Sequence, residues 1–546
     1  MTFGQTGVPA TPPTGPAAAT GHRPAPARRA ESYVAGGFWD DRRLRDGIEA
    51  TAANRPDGTA LMDDRGSVLT GAALAGRVAA AANRLAELGL GPGRAAILVA
   101  GNTVEGVVAY HGLLRVGATA VLLDRRCGAG DLRFALASTA ARLVILPIGE
   151  AGRLGPEAGP VERAGLEAIT AGGLPARRRL DWEEPDRNAT AVVLFTSGTT
   201  NRPKGVTHSL NTLTSGARNM AATTGADHRS VIYLISPLTS ITGVMQMHLA
   251  ADCGSTLVLD DAFEAAASLD RINDCGATIL GGAPVIVERL FGVADARGDT
   301  RVALRTLALG GTMLPRAFLE RIQKQYGIDV IRVYGSSEAP NATGRLPGEG
   351  GAGPLTDDGA LMPGTEIRVG SSAHPQEGLL RGPGVMLGYL DEADNEQAYE
   401  DDWFRSGDLV EVTEGRLTVV GRLKEVVNRN GFKISLSEID SALLDLPGSD
   451  ECASFGLPDG DTGERLAVAV VARAGCEVTL GAVLEHLRAQ GLATRKLPEQ
   501  LVVWDEPLPR TPSGKIVRTR LTMEASARRS TFGTRLQSNP SRGGGS

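Results

Sequence analysis

Leu194-Phe-Thr-Ser-Gly-Thr-Thr-Asn-Arg-Pro-Lys-Gly-Val206 decides how this chain is read. An apolar run from Ala191 to Phe195 leads into it. Four hydroxyl residues, Thr196, Ser197, Thr199 and Thr200, then surround Gly198 ahead of Lys204 and Gly205. Glycine lets backbone N–H groups approach an anion closely, hydroxyls add donors and lysine adds a charge, so the expected ligand is a polyphosphate. No GxxxxGK[ST] can be read here, so this is not a Walker loop. A buried strand feeding an anion-binding loop belongs to an α/β architecture.

Downstream, the runs Thr256–Leu259, Ala277–Leu280, Thr306–Leu309 and Val330–Val333 alternate with segments of helical period. Their spacing of roughly 20 to 30 residues is that of a βα unit and predicts parallel, buried strands. Pro284 and Pro315 stand where a first helical turn tolerates proline, and Gly327 closes a helix carrying Phe318, Leu319 and Ile322. Upstream, Ala96–Ala100, Ala118–Leu123 and Leu143–Pro147 repeat the style. Beyond Arg416 the texture changes. Leu417–Val420 reads as a strand, and Gly421 to Lys424 interrupts it with glycine and charge. Ser435 with Glu438 forms a capping box ahead of Ile439, Leu443 and Leu446. A strand (Leu466–Ala472), a helix (Leu480–Ala489) and a strand (Gln500–Trp504) complete a second, smaller unit of its own.

At 546 residues the chain exceeds a single small module, at about 150 residues per domain. Its 70 glycines and 30 prolines are many, yet 42% hydrophobic residues suffice for a large core, built mainly from aliphatic side chains because aromatics are only 4%. A net charge of -6 gives no global drive toward nucleic acid or an anionic surface. Five scattered cysteines, without CxxC spacing, indicate neither a disulfide framework nor a zinc site, and a reducing cytoplasm is expected. No apolar run approaches a membrane span. Residues 1–30 are rich in proline and alanine and are expected to be a disordered tail, as is the arginine-bearing stretch 526–546.

The stretch Thr196 to Gly205 resembles the phosphate loop of the ANL superfamily of adenylate-forming enzymes. Four further motifs resemble that family's in the correct order: Tyr334-Gly-Ser-Ser-Glu338, Trp403-Phe-Arg-Ser-Gly-Asp408-Leu, Gly421-Arg422-Leu-Lys424 through Asn430-Gly431-Phe-Lys433-Ile, and Pro509-Arg-Thr-Pro-Ser-Gly514-Lys515-Ile. The resemblance spans roughly residues 40 to 520. It implies a large AMP-binding domain over 31–422 with parallel-rich sheets, a hinge at 423–424 and a small, mobile α+β domain over 425–525.

The resemblance also implies roles. Thr196, Ser197, Gly198, Thr199, Thr200 and Lys204 would hold the phosphates of ATP, with Thr200 also acting in catalysis. Gly310, Gly311 and Thr312 would lie along the adenine, Tyr334 would stack on it, and Gly335, Ser336 and Ser337 would line the nucleotide site. Glu338 would bind Mg²⁺, a hard cation that prefers oxygen. Asp408 would hold the ribose with Arg422 beside it, Lys424 would be the hinge, and Gly431 would let a pantetheine thiol pass. Lys515 would bind the substrate carboxylate and the α-phosphate together.

The implied reaction turns a carboxylic acid and ATP into an acyl adenylate, then into a thioester with coenzyme A. Acyl-CoA synthetases commonly carry a histidine in Pro-Leu-x-His-x-x-Gly, whereas this chain has Pro237-Leu-Thr-Ser240-Ile-Thr-Gly243. Ser240, Ile241, Gly243, Val244, Gly281 and Gly282 are the candidate acyl pocket. Between Asp227 and Asp252 no acid awaits a substrate ammonium. The expected substrate is therefore an apolar acid, with room for a bulky alicyclic or terpenoid-like body. Two alternatives stand: an adenylating enzyme that loads a carrier protein or performs one half-reaction, and a catalytically silent nucleotide-binding protein. Monomer and homodimer are both open.

Overall fold

The computed structural model describes residues 29–40, 44–150, 161–171, 186–196, 202–299, 301–310, 316–346, 348–349, 355–429, 432–510 and 516–533. Among these, four sheets organise the chain. The first runs, edge to edge, through Asp329–Arg332, Thr306–Leu309, Ile279–Gly282, Val231–Leu234, Thr256–Leu259, Thr59–Asp63 and Val68–Thr70. All neighbours in it are parallel except the last pair, which confirms the βα reading of this stretch. The expected strand at 277–280 lies two residues later, because Ala277 N closes the preceding helix onto Ile272 O and Thr278 N leads into the sheet by donating to Val231 O.

The second sheet has a parallel core of Thr190–Thr196, Thr119–Asp124, Ala95–Ala100, Leu143–Leu146 and Glu162–Gly165. Strands buried on both faces must be apolar throughout, and Ala-Ala-Ile-Leu-Val-Ala and Leu-Val-Ile-Leu are. Lys204–Ser209 turns back antiparallel on Thr190–Thr196, with Thr196 opposite Lys204. Residues 197–203, the anion-loop segment, therefore connect two paired strands at a parallel strand's carboxyl end. Ligands of open α/β sheets bind at such ends.

A third, antiparallel sheet runs from Thr343–Gly344 to Arg416–Arg422 and on through Trp403–Thr413, Glu377–Arg381 and Glu366–Val369. The fourth contains Phe432–Ser435, Val426–Arg429, Gly463–Ala472, Gln500–Trp504 and Ser530–Phe532, with Ser449–Asp459 also pairing to Gly463–Ala472. It belongs to the small C-terminal domain and has its own core of Ile439, Leu443, Val468, Val483 and Leu501. The helix Leu480–Ala489 and the strand Gln500–Trp504 stand where their sequence places them. One expectation needs correction. Ser530–Phe532 pairs antiparallel with Gln500–Val502, so the unstructured tail does not begin at 526; the alternation of small and aromatic residues in Ser-Thr-Phe suffices for an edge strand.

The turn 423–425 joins Arg416–Arg422 of the third sheet to Val426–Arg429 of the fourth. Gly421 needs its bare Cα there, because a Cβ would stand 2.5 Å from Ser435 Oγ, which itself donates 3.2 Å to the Val420 carbonyl. The same Ser435 accepts from Glu438 N at 3.3 Å, the expected cap.

Three histidines lie inside the large domain. His111, on the helix Val104–Arg115, and His248, on Ile241–Cys253, are 4% and 1% exposed. His248 Nε2 is 2.7 Å from the Tyr110 hydroxyl. The Nδ1 atoms of both rings have no hydrogen-bond partner among the described residues. Burial pushes His111 down to about 4 and His248 down to about 3, the second helped by its histidine neighbours. A histidine depressed in the fold binds its proton only when unfolded. Stability is therefore full above about pH 6.5 and falls as pH drops toward 4. His111→Gln and His248→Gln should each reduce that slope near pH 5 by about one proton equivalent, roughly 1.4 kcal/mol per pH unit. Urea midpoints between pH 5 and 7 read this directly, and an unchanged slope counts against it.

Candidate active site

The pentapeptide Tyr334-Gly-Ser-Ser-Glu338 lies just past the carboxyl end of Asp329–Arg332, and each of its residues has a place. Tyr334 is buried and donates its phenol to Asp408 Oδ2 at 2.7 Å. Gly335 admits no side chain, since a Cβ would stand 2.7 Å from Asn341 N. Ser336 Oγ accepts from Glu338 N and Ala339 N, both at 3.2 Å, closing a tight turn. Ser337 O receives His208 Nε2 at 2.8 Å. Glu338 Oε1 accepts the Tyr389 phenol at 2.8 Å. The segment thus turns one end toward Asp408 and the other toward Tyr389.

Asp408 is the buried centre of the first end. In the hairpin formed by Trp403–Thr413 and Arg416–Arg422 it lies opposite Arg422, whose Nε is 2.7 Å from Oδ1. Its two oxygens are thereby divided between Tyr334 and Arg422. The carboxylate holds Arg422 above its ordinary pKa, and burial, followed by the same carboxylate, pushes the Tyr334 phenol well up. A desolvated carboxylate with one directed donor and one cation is built to meet further hydroxyls without moving.

At the other end, Lys204 Nζ is 2.9 Å from Asp394 Oδ1 and 4.7 Å from the centre of the Tyr389 ring. Arg202 pairs with Asp391, and with Asp394 at 3.6 Å. Thr196 Oγ1 reaches the Lys204 carbonyl across the hairpin at 3.5 Å. His208, four residues past Lys204, is buried and lowered to about 4 by desolvation, so it stays neutral while tying Ser337 to this strand. Gly310 ends the strand Thr306–Leu309 and packs tightly, with a Cβ position 3.0 Å from Val333 O. The placements expected for Ser197, Gly198, Thr199, Thr200, Gly311, Thr312, Gly431 and Lys515 lie outside the described residues.

The pocket candidates separate into two groups. Ser240 Oγ accepts from Gly243 N at 3.2 Å and donates to Pro237 O at 2.7 Å, so this serine is the N-cap of Ile241–Cys253. At Gly243 the side-chain direction is filled by the Pro237 carbonyl, and Val244 is buried in the core while Ile241 packs against it. At Gly281 and Gly282 the nearest atoms to the Cβ positions are Gln246 Nε2 and Ser236 Oγ, each at a contact distance of 3.4 Å. Gln246 is 1% exposed and donates from Nε2 to Gly281 O at 3.1 Å, while its Oε1 has no partner among the described residues.

Residues 48–390 match the AMP-binding enzyme family, and 438–515 match its C-terminal domain. The chain belongs to the AMP-binding enzyme family. Within this family it is 31% identical, over 92% of its own length and 97% of the relative's, to a salicylyl-CoA synthase / salicylate adenylyltransferase of Streptomyces sp. It is equally 31% identical, over 91% and 93%, to a salicyl-AMP ligase / salicyl-S-ArCP synthetase of Mycobacterium tuberculosis. Among solved structures, o-succinylbenzoate CoA synthetase from Bacillus subtilis, in complex with ATP and magnesium ion, shares the fold at TM-score 0.75. That match is 24% identical and covers 87% of this chain and 98% of the other.

For this AMP-binding enzyme, Tyr389, Asp394, His208 and Gln246 are residues around the candidate site that local patterns miss. A histidine in the apolar strand that continues Lys204 is a usable signal for His208. Tyr389 and Asp394 carry none, since only the pairing of Gly388–Tyr389 with Lys204–Ser209 brings them in. Tyr334→Phe should remove the phenol that donates to the buried Asp408 carboxylate and lower the enzyme's unfolding free energy by about 1–3 kcal/mol, read from urea denaturation at pH 7. A variant as stable as the parent would show that this hydrogen bond is dispensable.

Proposed function

We propose that the chain is an AMP-forming carboxylic acid–CoA ligase that uses ATP and Mg²⁺. The observation that carries this reading is the segment 334–338, which joins the carboxylate assigned to ribose, Asp408, to the carboxylate assigned to the metal, Glu338, beside Lys204. Glu338 suits a hard cation: one oxygen is held by Tyr389, and Oε2 has no hydrogen bond among the described residues. Bound Mg²⁺ supplies charge neutralisation on the phosphates.

The chain's own groups do the rest. Asp408, held still by Tyr334 and Arg422, accepts the ribose hydroxyls and fixes the nucleotide. Lys204 and the loop 197–203 take the outer phosphates. Lys515 brings the substrate carboxylate to the α-phosphorus; the new C–O–P bond forms as the α–β bridge breaks and pyrophosphate leaves. The small domain then turns about Lys424, and a thiol entering past Gly431 attacks the acyl carbon, forming C–S as AMP departs. The neutral His208 holds Ser337 throughout and exchanges no proton.

The acid we propose has an apolar body and one hydrogen-bond donor. Gly281 and Gly282 add no side chain of their own, and among the described residues the buried Gln246 Oε1 is an acceptor without a partner, which a substrate hydroxyl would satisfy. An alicyclic hydroxy acid and a hydroxyaryl acid both meet this demand, the second in keeping with the two salicylate-activating relatives. One of those relatives also supports the second reading, a carrier protein as acceptor in place of CoA.

Acid-dependent pyrophosphate release from ATP tests the reading; silence across a broad acid panel would refute it, and release without CoA consumption would favour the carrier protein. Lys515→Ala should slow adenylation on the order of 10²–10³-fold and spare thioester formation from supplied acyl adenylate. Equal losses in both halves would contradict the role given to Lys515. Gln246→Leu should lower kcat/KM for hydroxylated acids about tenfold relative to their deoxy counterparts. Parallel losses for both would remove Gln246 from substrate selection.

A further inference from the structure

Tyr389 is tied to its surroundings through its phenol, its ring face and its backbone. Its phenol donates to Glu338 Oε1 at 2.8 Å, and the face of the same ring lies 4.7 Å from Lys204 Nζ. Its backbone is clamped from both sides: Tyr389 N donates to Asn395 Oδ1 at 2.7 Å, and Asn395 Nδ2 donates to Tyr389 O at 3.0 Å. Pairing of Tyr389 with Val206 and the bond from Leu390 N to Gly205 O at 2.8 Å fix it against the strand that carries Lys204. Gly388 just before it has φ +152 and a Cβ position 2.9 Å from Asn395 Oδ1, so the approach requires glycine. This ring is held more tightly than a half-buried surface tyrosine needs.

The ring stands between the two groups that meet the outer phosphates and their metal. A phenol donating to one oxygen of a carboxylate fixes which oxygen faces the cation, and such supporting bonds typically change metal affinity 10–100-fold when lost. A cation over the same ring gains attraction and a fixed location. Lys204 is meanwhile paired at 2.9 Å with Asp394, and Arg202 lies beside the same acid and Asp391. Polyphosphate arriving at the loop therefore meets cations that are already neutralised.

We propose that Tyr389 is a positioning residue that couples the carboxylate of Glu338 to the ammonium of Lys204, and that Asp394 is the internal anion Lys204 leaves when polyphosphate binds and returns to when pyrophosphate departs. The proposal rests on the functional reading above for the identity of the ligand. It adds that metal affinity and pyrophosphate release are set by residues 389–394, outside the anion loop. Tyr389 acts through Glu338 and Lys204 and touches no reacting atom.

Isothermal calorimetry of the full chain tests it, with ATP titrated at a series of Mg²⁺ concentrations and with inorganic pyrophosphate alone. Tyr389→Phe keeps the ring under Lys204 and removes the donor. It should raise the Mg²⁺ concentration for half-maximal ATP affinity about tenfold while leaving metal-free ATP binding unchanged. In a Glu338→Gln background the same change should add nothing, because the effect passes through that carboxylate. Asp394→Asn should tighten binding of inorganic pyrophosphate several-fold and slow its release.

An equal shift in both backgrounds, or no shift in Tyr389→Phe, overturns the coupling. Unchanged or weaker pyrophosphate affinity in Asp394→Asn overturns the internal-anion role, and this second variant serves if Tyr389→Phe fails to fold. Metal-dependent ATP binding by the parent chain with no effect of either variant leaves the ligase reading standing and removes this proposal. Absence of metal-dependent ATP binding in the parent removes both.

Discussion

The structure turns on one buried carboxylate. Asp408 is 3% exposed, and a lone charge in that position would be strongly unfavourable. It persists because Tyr334 donates to one oxygen and Arg422 pairs with the other. Those two partners come from different layers: Tyr334 follows the edge strand of the first sheet, and Arg422 ends a strand of the third, just before the turn into the small domain. The interaction therefore locks sheet to sheet and sets the direction in which the chain leaves the large domain. The carboxylate proposed to meet the ribose and the strand end ahead of the turn at 423–425 share a single set of bonds.

The second end of the 334–338 segment follows from that lock. With Tyr334 fixed and Ser336 closing the turn, Glu338 has one direction to point, and it reaches Tyr389 on the far edge of the second sheet. His208 fastens Ser337 to the Lys204 strand through Nε2, and burial keeps its ring neutral. The polar network thus crosses from the first sheet to the second through five consecutive residues. Packing of small residues makes the crossing feasible, since the glycine at 335 lies where any side chain would collide with the backbone at Asn341.

Much of the scaffold is legible in local sequence. Apolar runs such as Thr256–Leu259 and Thr306–Leu309 stand where their composition places them, and parallel pairing follows from the crossover helix between successive strands. The cap at Ser435 is legible for the same reason: capping is a contact between residues three apart. The third sheet is harder to read, because several of its strands are two to five residues long and carry no period. Ser240 shows the opposite difficulty. Its place in a family motif suggests a pocket wall, yet its hydroxyl serves as a helix cap.

By itself the sequence determined the AMP-binding enzyme family, the order of its motifs and the parallel character of two sheets, and the resemblance led to the expectation that Lys204, Glu338, Asp408 and Arg422 share one site. Those features rest on contacts between near neighbours or on residue types that the chemistry demands wherever they stand. Only the tertiary structure decided that Asp408 is shared by Tyr334 and Arg422, that Tyr389 links Glu338 to Lys204, that Asp394 holds that lysine, and that Gln246 faces Gly281. Each of these pairs lies between 14 and 190 residues apart in the chain. Which charges then meet is fixed by sheet register and the cost of leaving a buried polar group unpaired, and no local pattern encodes either.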